Sequence, residues 1–187
     1  MKKLHFAVMA AASLTPLALP VAAHAQDGAS SKIEPYVGVM SGWDDFDSQT
    51  SESGIPPVGY DGWLVEGVAG VNYNVAGPIV VGLEGNIAKG INGDVDWEYG
   101  FAGRAGVEAG KDSLIFGKMG YRWTNFAALG KDSPDYHGTT YGMGVELSPV
   151  DFGMGSGDKS NVRLRLQVDT LGNFTSYRPM AGVVAKF

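Results

Sequence analysis

The sequence predicts an all-β chain: eight antiparallel strands, joined in up-and-down order and closed into a transmembrane barrel. Three observations carry this expectation. Eight segments of about ten to fourteen residues alternate apolar and polar side chains with a period of two, and clusters of turn formers separate them. Glycine supplies 28 of the 187 residues, a load that helix interiors tolerate poorly. The segments also suit a tilted bilayer crossing of about 9–11 residues better than the usual strand of about 5–6.

The chain opens with a leader. Met1-Lys2-Lys3 is a positive start, Phe6 to Leu19 an apolar stretch, and Ala23-His24-Ala25 a small-residue cleavage site before Gln26. Residues 1–25 therefore read as a cleaved secretory signal peptide and 26–187 as one barrel domain. Cleavage removes two of the 14 basic residues, leaving 12 against 20 acidic ones and a formal charge of −8. Nucleic acid is an unsuitable partner for such a chain. There is no cysteine, which excludes disulfides, thiolate metal sites and a lipoprotein attachment point. No segment after the leader has about 18 consecutive apolar residues, so a membrane-spanning helix is not expected. Near-zero mean hydropathy suits a wall whose two faces cancel in a sliding window.

The first strand is expected at 33–44, before Asp44-Asp45-Phe46-Asp47-Ser48 and a Ser/Gly/Pro stretch to Asp61. The second, 62–75, puts Trp63, Val65, Gly67, Ala69, Val71, Tyr73 and Val75 on one face and Glu66, Asn72 and Asn74 on the other. Ala76-Gly77-Pro78 turns it into the third, 79–89, and a loop follows at Gly90-Ile91-Asn92-Gly93-Asp94. The fourth, 97–110, sets Trp97, Tyr99, Phe101, Ala105 and Val107 against Glu98, Arg104 and Glu108. Lys111-Asp112 turns it into the fifth, 113–126, and 128–138 forms a loop. The sixth, 139–149, sets Tyr141, Met143, Val145 and Leu147 against Glu146, and a connection holding Gly153, Gly155 and Gly157 follows. The seventh, 161–171, alternates Val162, Leu164, Leu166 and Val168 with Arg163, Arg165, Gln167 and Asp169. A helix would scatter those arginines around its circumference. The eighth is 177–187, ending at Phe187.

Connections are expected to alternate long and short. The aromatics Trp43, Trp63, Trp97, Trp123, Tyr141, Phe174 and Tyr177 gather at the long-loop end as an interface girdle, with Tyr36, Tyr73 and Phe187 near the other end. In hydrocarbon an unpaired N–H or C=O has no water to satisfy it, so the strands must close into a ring. Pro179 lacks a ladder donor, which places it near the rim or at a bulge.

An eight-stranded barrel is just wide enough to be filled by its own side chains. Parity sends Glu66, Glu84, Glu98, Glu108, Glu146 and Asp169 inward with Arg104, Lys118, Arg122, Arg163, Arg165 and Lys186. The signs balance, so a salt-bridge network that plugs the lumen is expected. A narrow channel lined by Glu66, Glu84, Lys118, Arg104, Arg163 and Arg165 is the alternative. Arg122 could pair with Glu108 or with Glu146. Loop acids Asp44, Asp45, Asp47, Glu52 and Asp61 could attract a hard cation, but their spacing matches no calcium loop, and a solvated acidic surface is the simpler reading. His137-Gly138-Thr139-Thr140 with Glu146 superficially imitates a catalytic group; a solvated loop histidine accounts for it. A third reading is a soluble secreted β-sandwich or lipocalin-like binder, in which Arg163 and Arg165 would face water.

The leader, the opening Glu34-Pro35-Tyr36-Val37-Gly38, the eight segments, the run Gly82-Leu83-Glu84-Gly85-Asn86 and the terminal Phe187 together resemble the small OmpA-like and opacity-protein barrels, which are porin-like in architecture. The resemblance covers essentially 26–187. It implies a Gram-negative outer-membrane protein without catalytic activity, cofactor or metal, serving envelope integrity or surface interaction. Its implied partners are outer-membrane lipid and lipopolysaccharide, an assembly machinery that reads Phe187, and surface ligands of host, phage or matrix held by the loops. The lipid A deacylase type of barrel, which uses His, Ser and an acid near the outer rim, would need a threonine nucleophile here; the palmitoyl-transferase type has no match.

Overall fold

The structure is a computed structural model and describes residues 33–46, 61–126, 135–154, 157–172, 174 and 176–187. The leader read at 1–25 lies outside them. Eight strands follow in order: β1 Ile33–Phe46, β2 Asp61–Ala76, β3 Ile79–Gly93, β4 Val95–Ala109, β5 Ser113–Phe126, β6 Tyr136–Leu147, β7 Val162–Leu171 and β8 Ser176–Lys186. Each pairs antiparallel with its neighbour, and β8 pairs with β1, closing the barrel.

The pairing fixes the size of the barrel. From Asn74 on β2 the partners run through Val80, Gly106, Phe116, Gly144, Gln167, Met180 and Gly42, and return to β2 at Leu64. The circuit closes ten residues away from its start, Asn74 to Leu64. Such a stagger requires strands tilted by roughly 35–45° and leaves room only for side chains.

The alternation resolves into two opposite faces. Val39, Leu83, Ile87, Phe101, Ile115, Met119, Met143, Leu164 and Val183 point outward and are exposed, while Glu66, Glu98, Arg122, Arg163, Arg165 and Arg178 are buried within. A soluble β-protein hides its apolar face, and this one presents it to its surroundings.

Four expectations are corrected. Residues 90–93 are strand rather than loop, leaving Asp94 alone as the link: Trp63 pairs with Asn92 and Gly62 with Gly93, and the Asp94 N–H donates to the Asp61 carbonyl at 3.0 Å. Gly93 makes the reversal possible with a φ of +88°. Connections do not alternate strictly long and short. At the end where β1 begins, here called lower, the links 77–78 and 110–112 are tight but 148–161 is long; at the upper end β3 and β4 are joined through Asp94 alone. Tyr36 is not an interface aromatic. It points inward at 2% exposure, and a Cβ on Gly70 would fall 2.4 Å from its hydroxyl. Asp44 is not a loop acid but part of β1, buried inside the barrel.

Pro179 sits fourth in β8, toward the upper end. It pairs with Val168 of β7, while the ladder to β1 skips from Met180–Gly42 to Tyr177–Asp45. The missing donor thus falls where that ladder is interrupted.

The lumen as candidate functional site

The inward positions of eight strands converge on one axis, where seven carboxylates meet seven cations. Asp44, Glu66, Glu84, Glu98, Asp112, Glu146 and Asp169 face Arg104, Lys118, Arg122, Arg163, Arg165, Arg178 and Lys186. Burying any of these without a partner would cost several kcal/mol, so their pairing decides whether the barrel is viable.

At the lower end Asp112 gathers the most partners. Its carboxylate accepts from Arg163 at 2.7 Å, Lys186 at 2.9 Å, the Ser148 hydroxyl at 3.0 Å and the Ser160 N–H at 3.0 Å. Lys186 also lies 3.6 Å from Glu34. Burial pushes the Asp112 carboxyl up, but the hydrogen bonds from Arg163 and Lys186 outweigh it and hold the group down at about 2.

Arg163 reaches up from Asp112 to Glu146 at 3.1 Å, and Arg104 meets the other Glu146 oxygen at 2.7 Å. Glu84 accepts from Arg165 at 2.5 Å and from the Tyr36 hydroxyl at 2.7 Å, with Lys118 at 3.5 Å. The guanidinium carbons of Arg104 and Arg165 lie 4.1 and 4.7 Å from the centre of the Phe116 ring, an aromatic face that stabilises charge away from water. Lys118 continues the chain to Asp169 at 2.9 Å.

A second group lies above. Arg178 donates to Glu98 at 2.5 Å and to Glu66, Asn86 donates to Glu66 at 2.9 Å, and Thr124 donates to Glu98 at 3.0 Å. Arg122 lies 3.4 Å from Asp44 and 3.8 Å from Glu98. An apolar layer of Phe46, Val95, Phe126 and Leu171, with Tyr136 against it, sits over this group; Phe46 and Phe126 meet edge to face at 5.3 Å.

Glu66, Glu84, Glu98, Arg104, Lys118, Arg122, Glu146, Arg163, Arg165, Asp169 and Lys186 therefore all reach the interior. Glu108 does not join them: it is half-buried at the lower end of β4 and enters none of the ion pairs among the described residues. Arg122 pairs with neither Glu108 nor Glu146, because both carboxylates belong to the lower half of their strands and Arg122 to the upper half of β5. Sequence reasoning missed Arg178, Asp44, Asp112 and the inward Tyr36. Arg178 shares parity with Met180, Val184 and Lys186 inside the expected eighth strand, and Asp44 shares parity with Met40 at the end of the expected first, so carrying the alternation to the ends of those strands would have found both.

Trp43, Trp63, Trp97, Trp123, Tyr141 and Tyr177 point outward, and Phe174, beyond the end of β7, is 82% exposed. Trp123 stacks on Tyr99 at 5.4 Å and Trp43 meets Trp63 at 5.8 Å. Tyr73 and Phe187 are exposed near the lower end. His137 lies outward on β6 with its Nδ1 2.5 Å from the Tyr121 hydroxyl, while Glu146 points into the lumen on the opposite face of the same strand. Asp45 and Asp61 are exposed, Asp47 and Glu52 lie outside the described residues, and no cluster among the described residues could hold a metal ion.

An apolar exterior wrapped around a charged, paired interior, with every strand edge closed, defines a transmembrane β-barrel. More particularly, the chain has the fold of the small OmpA-like and opacity-type outer-membrane barrels. It is similar to the N-terminal barrel domain of Pseudomonas aeruginosa OprF, with a TM-score of 0.52 at 12% identity over 84% of this chain and 98% of that one. Neisserial surface protein A gives 0.51 at 14% identity over 84% and 98%. Ail, the attachment invasion locus protein of Yersinia pestis, solved in complex with the heparin analogue sucrose octasulfate, gives 0.50 at 10% identity over 83% and 99%. No family model matches the sequence, and no curated protein matches it.

Proposed function

We propose that this chain is a non-catalytic integral protein of the bacterial outer membrane, exported by the leader at 1–25, with a plugged lumen and its business at the exposed upper end. The observation that carries the reading is the seven-against-seven set of buried charges inside a wall that is apolar outside. Lipid satisfies that wall, and the internal ion pairs neutralise the charge of the lumen. Lipopolysaccharide and phospholipid are then its surroundings, with Trp43, Trp63, Trp97 and Trp123 at the upper interface and Phe187 read by the assembly machinery. Heat-modifiable gel migration in detergent together with outer-membrane fractionation tests the reading. A protein soluble without detergent and absent from that fraction would overturn it.

The surface role is envelope integrity or ligand binding through the upper connections. With the lumen neutral, the excess acid lies outside it, and among the described residues Asp45, Asp61, Asp94, Asp96 and Asp135 stand at the upper end against Lys89. That field repels polyanions of the heparin type and favours cationic or neutral ligands. Binding to immobilised polycation and to heparin at low salt tests the charge preference.

A narrow channel is the second reading, supported by buried polar atoms that lack a hydrogen-bond partner: both Asp44 oxygens, Arg122 Nη1, Gln167 Oε1 and Asp169 Oδ1. Such atoms, with others lower down at Asn72, Arg163 and Arg165, call for water along the lumen. Conductance in a planar bilayer distinguishes the two.

A further inference from the structure

Two of the three lower connections turn in two or three residues, and the third, 148–161, is built differently. It leaves β6 through one 3-10 turn, Pro149–Phe152, which is tied down on both sides. Asp151 accepts from the Lys111 N–H at 2.6 Å and the Ser113 hydroxyl at 2.5 Å, clasping the β4–β5 turn. The Ser148 N–H donates to the Ser113 hydroxyl at 3.0 Å, and Val150 is buried beneath. The turn closes with Gly153 in the left-handed region at φ +71°, the Met154 N–H donating to Pro149 at 2.9 Å and the Gly153 N–H to Val150 at 3.1 Å.

This rigid piece holds two large apolar side chains away from the barrel: Phe152 is 61% exposed and Met154 62%. A fixed turn has no collapsed state in which to hide them, so something else covers them. Three features choose the occupant. The turn starts two residues after Leu147 and packs against β7, whose outward Val162 and Leu164 are exposed. The outward aromatics at the lower end, Tyr73 and Phe187, belong to β2 and to the end of β8, and the lower halves of β4 to β7 carry none among the described residues. The polar part of the same connection, Asp158 and Lys159, is exposed farther along.

We propose that the 149–154 turn is a membrane-interface anchor, with Phe152 and Met154 inserted among the phospholipids at the lower boundary of the barrel and supplying the aromatic contact that β4 to β7 lack there. Met154 adds a flexible apolar filler beside the ring. The anchor rests on the reading that the barrel spans a membrane, and Asp151 couples it to the β4–β5 turn.

The chain has no cysteine, so single cysteines at 152, at Leu83 on the outer wall and at Asp158 each give one site for an environment-sensitive dye in the full folded barrel in phosphatidylethanolamine/phosphatidylglycerol vesicles. The proposal expects the dye at 152 to emit as in lipid and to be quenched by nitroxides carried near the lipid glycerol level. At 83 the dye is quenched by nitroxides deep in the acyl chains, and at 158 by a water-soluble quencher. Aqueous quenching at 152 with lipid quenching at 83 overturns the anchor and leaves the barrel reading standing. A dye at 152 that neither quencher reaches also overturns it, since a protein surface would then be the cover. Aqueous quenching at 83 overturns the membrane reading itself. The M154S change, which leaves Asp151 and Gly153 in place, should shift the dye at 152 toward aqueous emission, and no shift there counts against the anchor.

Discussion

Arg178 on β8 donates to Glu98 on β4 at 2.5 Å, joining two strands that face each other across the ring of eight. The same guanidinium reaches Glu66 on β2. One side chain therefore braces three strands that share no backbone ladder with one another. Each ion of the group has lost its water, so its worth appears chiefly when a partner is removed.

Arg178→Ala leaves Glu66 and Glu98 buried with too little positive charge. A destabilisation of about 3–5 kcal/mol is expected, read as a lower urea midpoint for the barrel in detergent micelles. Arg178→Lys keeps the charge but not the fork that reaches both carboxylates, so it should recover only part of the loss. An unchanged midpoint in the alanine variant would remove Arg178 from the brace.

Acid should loosen the lower end. The Asp112 carboxyl is held at about 2 against an unfolded value of about 3.9, so its contribution is complete above pH 4 and is lost as pH falls through 2. Asp112→Asn is expected to cost about 3 kcal/mol near neutral pH and to flatten the fall in stability between pH 4 and 2. Urea midpoints across that range check both slopes.

Gly70 gives way to Tyr36. Gly70→Ala would place a methyl carbon 2.4 Å from the Tyr36 hydroxyl and push it off Glu84, to which it donates at 2.7 Å. A loss of about 1–3 kcal/mol is expected from the overpacking. Tyr36→Phe should rescue little of this, because the ring carbon Cζ and the Leu83 carbonyl oxygen each lie 2.5 Å from the same methyl carbon; a Gly70→Ala/Tyr36→Ala double variant should lose less than the two single changes together, and a double-variant cycle in urea measures this.

Phe46 and Phe126 close the top of the charged column edge to face at 5.3 Å. Their coupling in a double-alanine cycle should be about 0.5–1.5 kcal/mol. His137, outside the barrel, is expected to be replaceable by Ala within about 0.5 kcal/mol.

The barrel was legible in the sequence because a period of two is a physical address: the alternation of Val162 to Asp169 puts Arg163 and Arg165 on one shared face, and the closed ring with its apolar exterior makes that face the lumen rather than a wet surface. The limits lay at the strand ends. Asp44 precedes a second aspartate, so local propensity favoured loop there while pairing with β8 carried β1 past it; Arg178 lay inside the expected eighth strand, but the adjacent Pro179 obscured its inward parity. Pairing was less legible than placement. Strand register decides which interior residues share a height: Glu146 pairs with Leu114, eight residues below Arg122 on β5, whereas Asp44 stands in the upper half of β1. Asp112 read as a turn residue because its partners, Ser148, Ser160, Arg163 and Lys186, come from three later parts of the chain.

The central claim is a membrane barrel whose lumen is filled by its own paired charges. Its most direct test is the planar-bilayer current of the folded protein after insertion has been verified by protection of the wall from protease. The account predicts a silent bilayer at neutral pH, with no unitary steps above baseline. Reproducible stepwise conductance from the unaltered chain would contradict it and leave the lumen a channel.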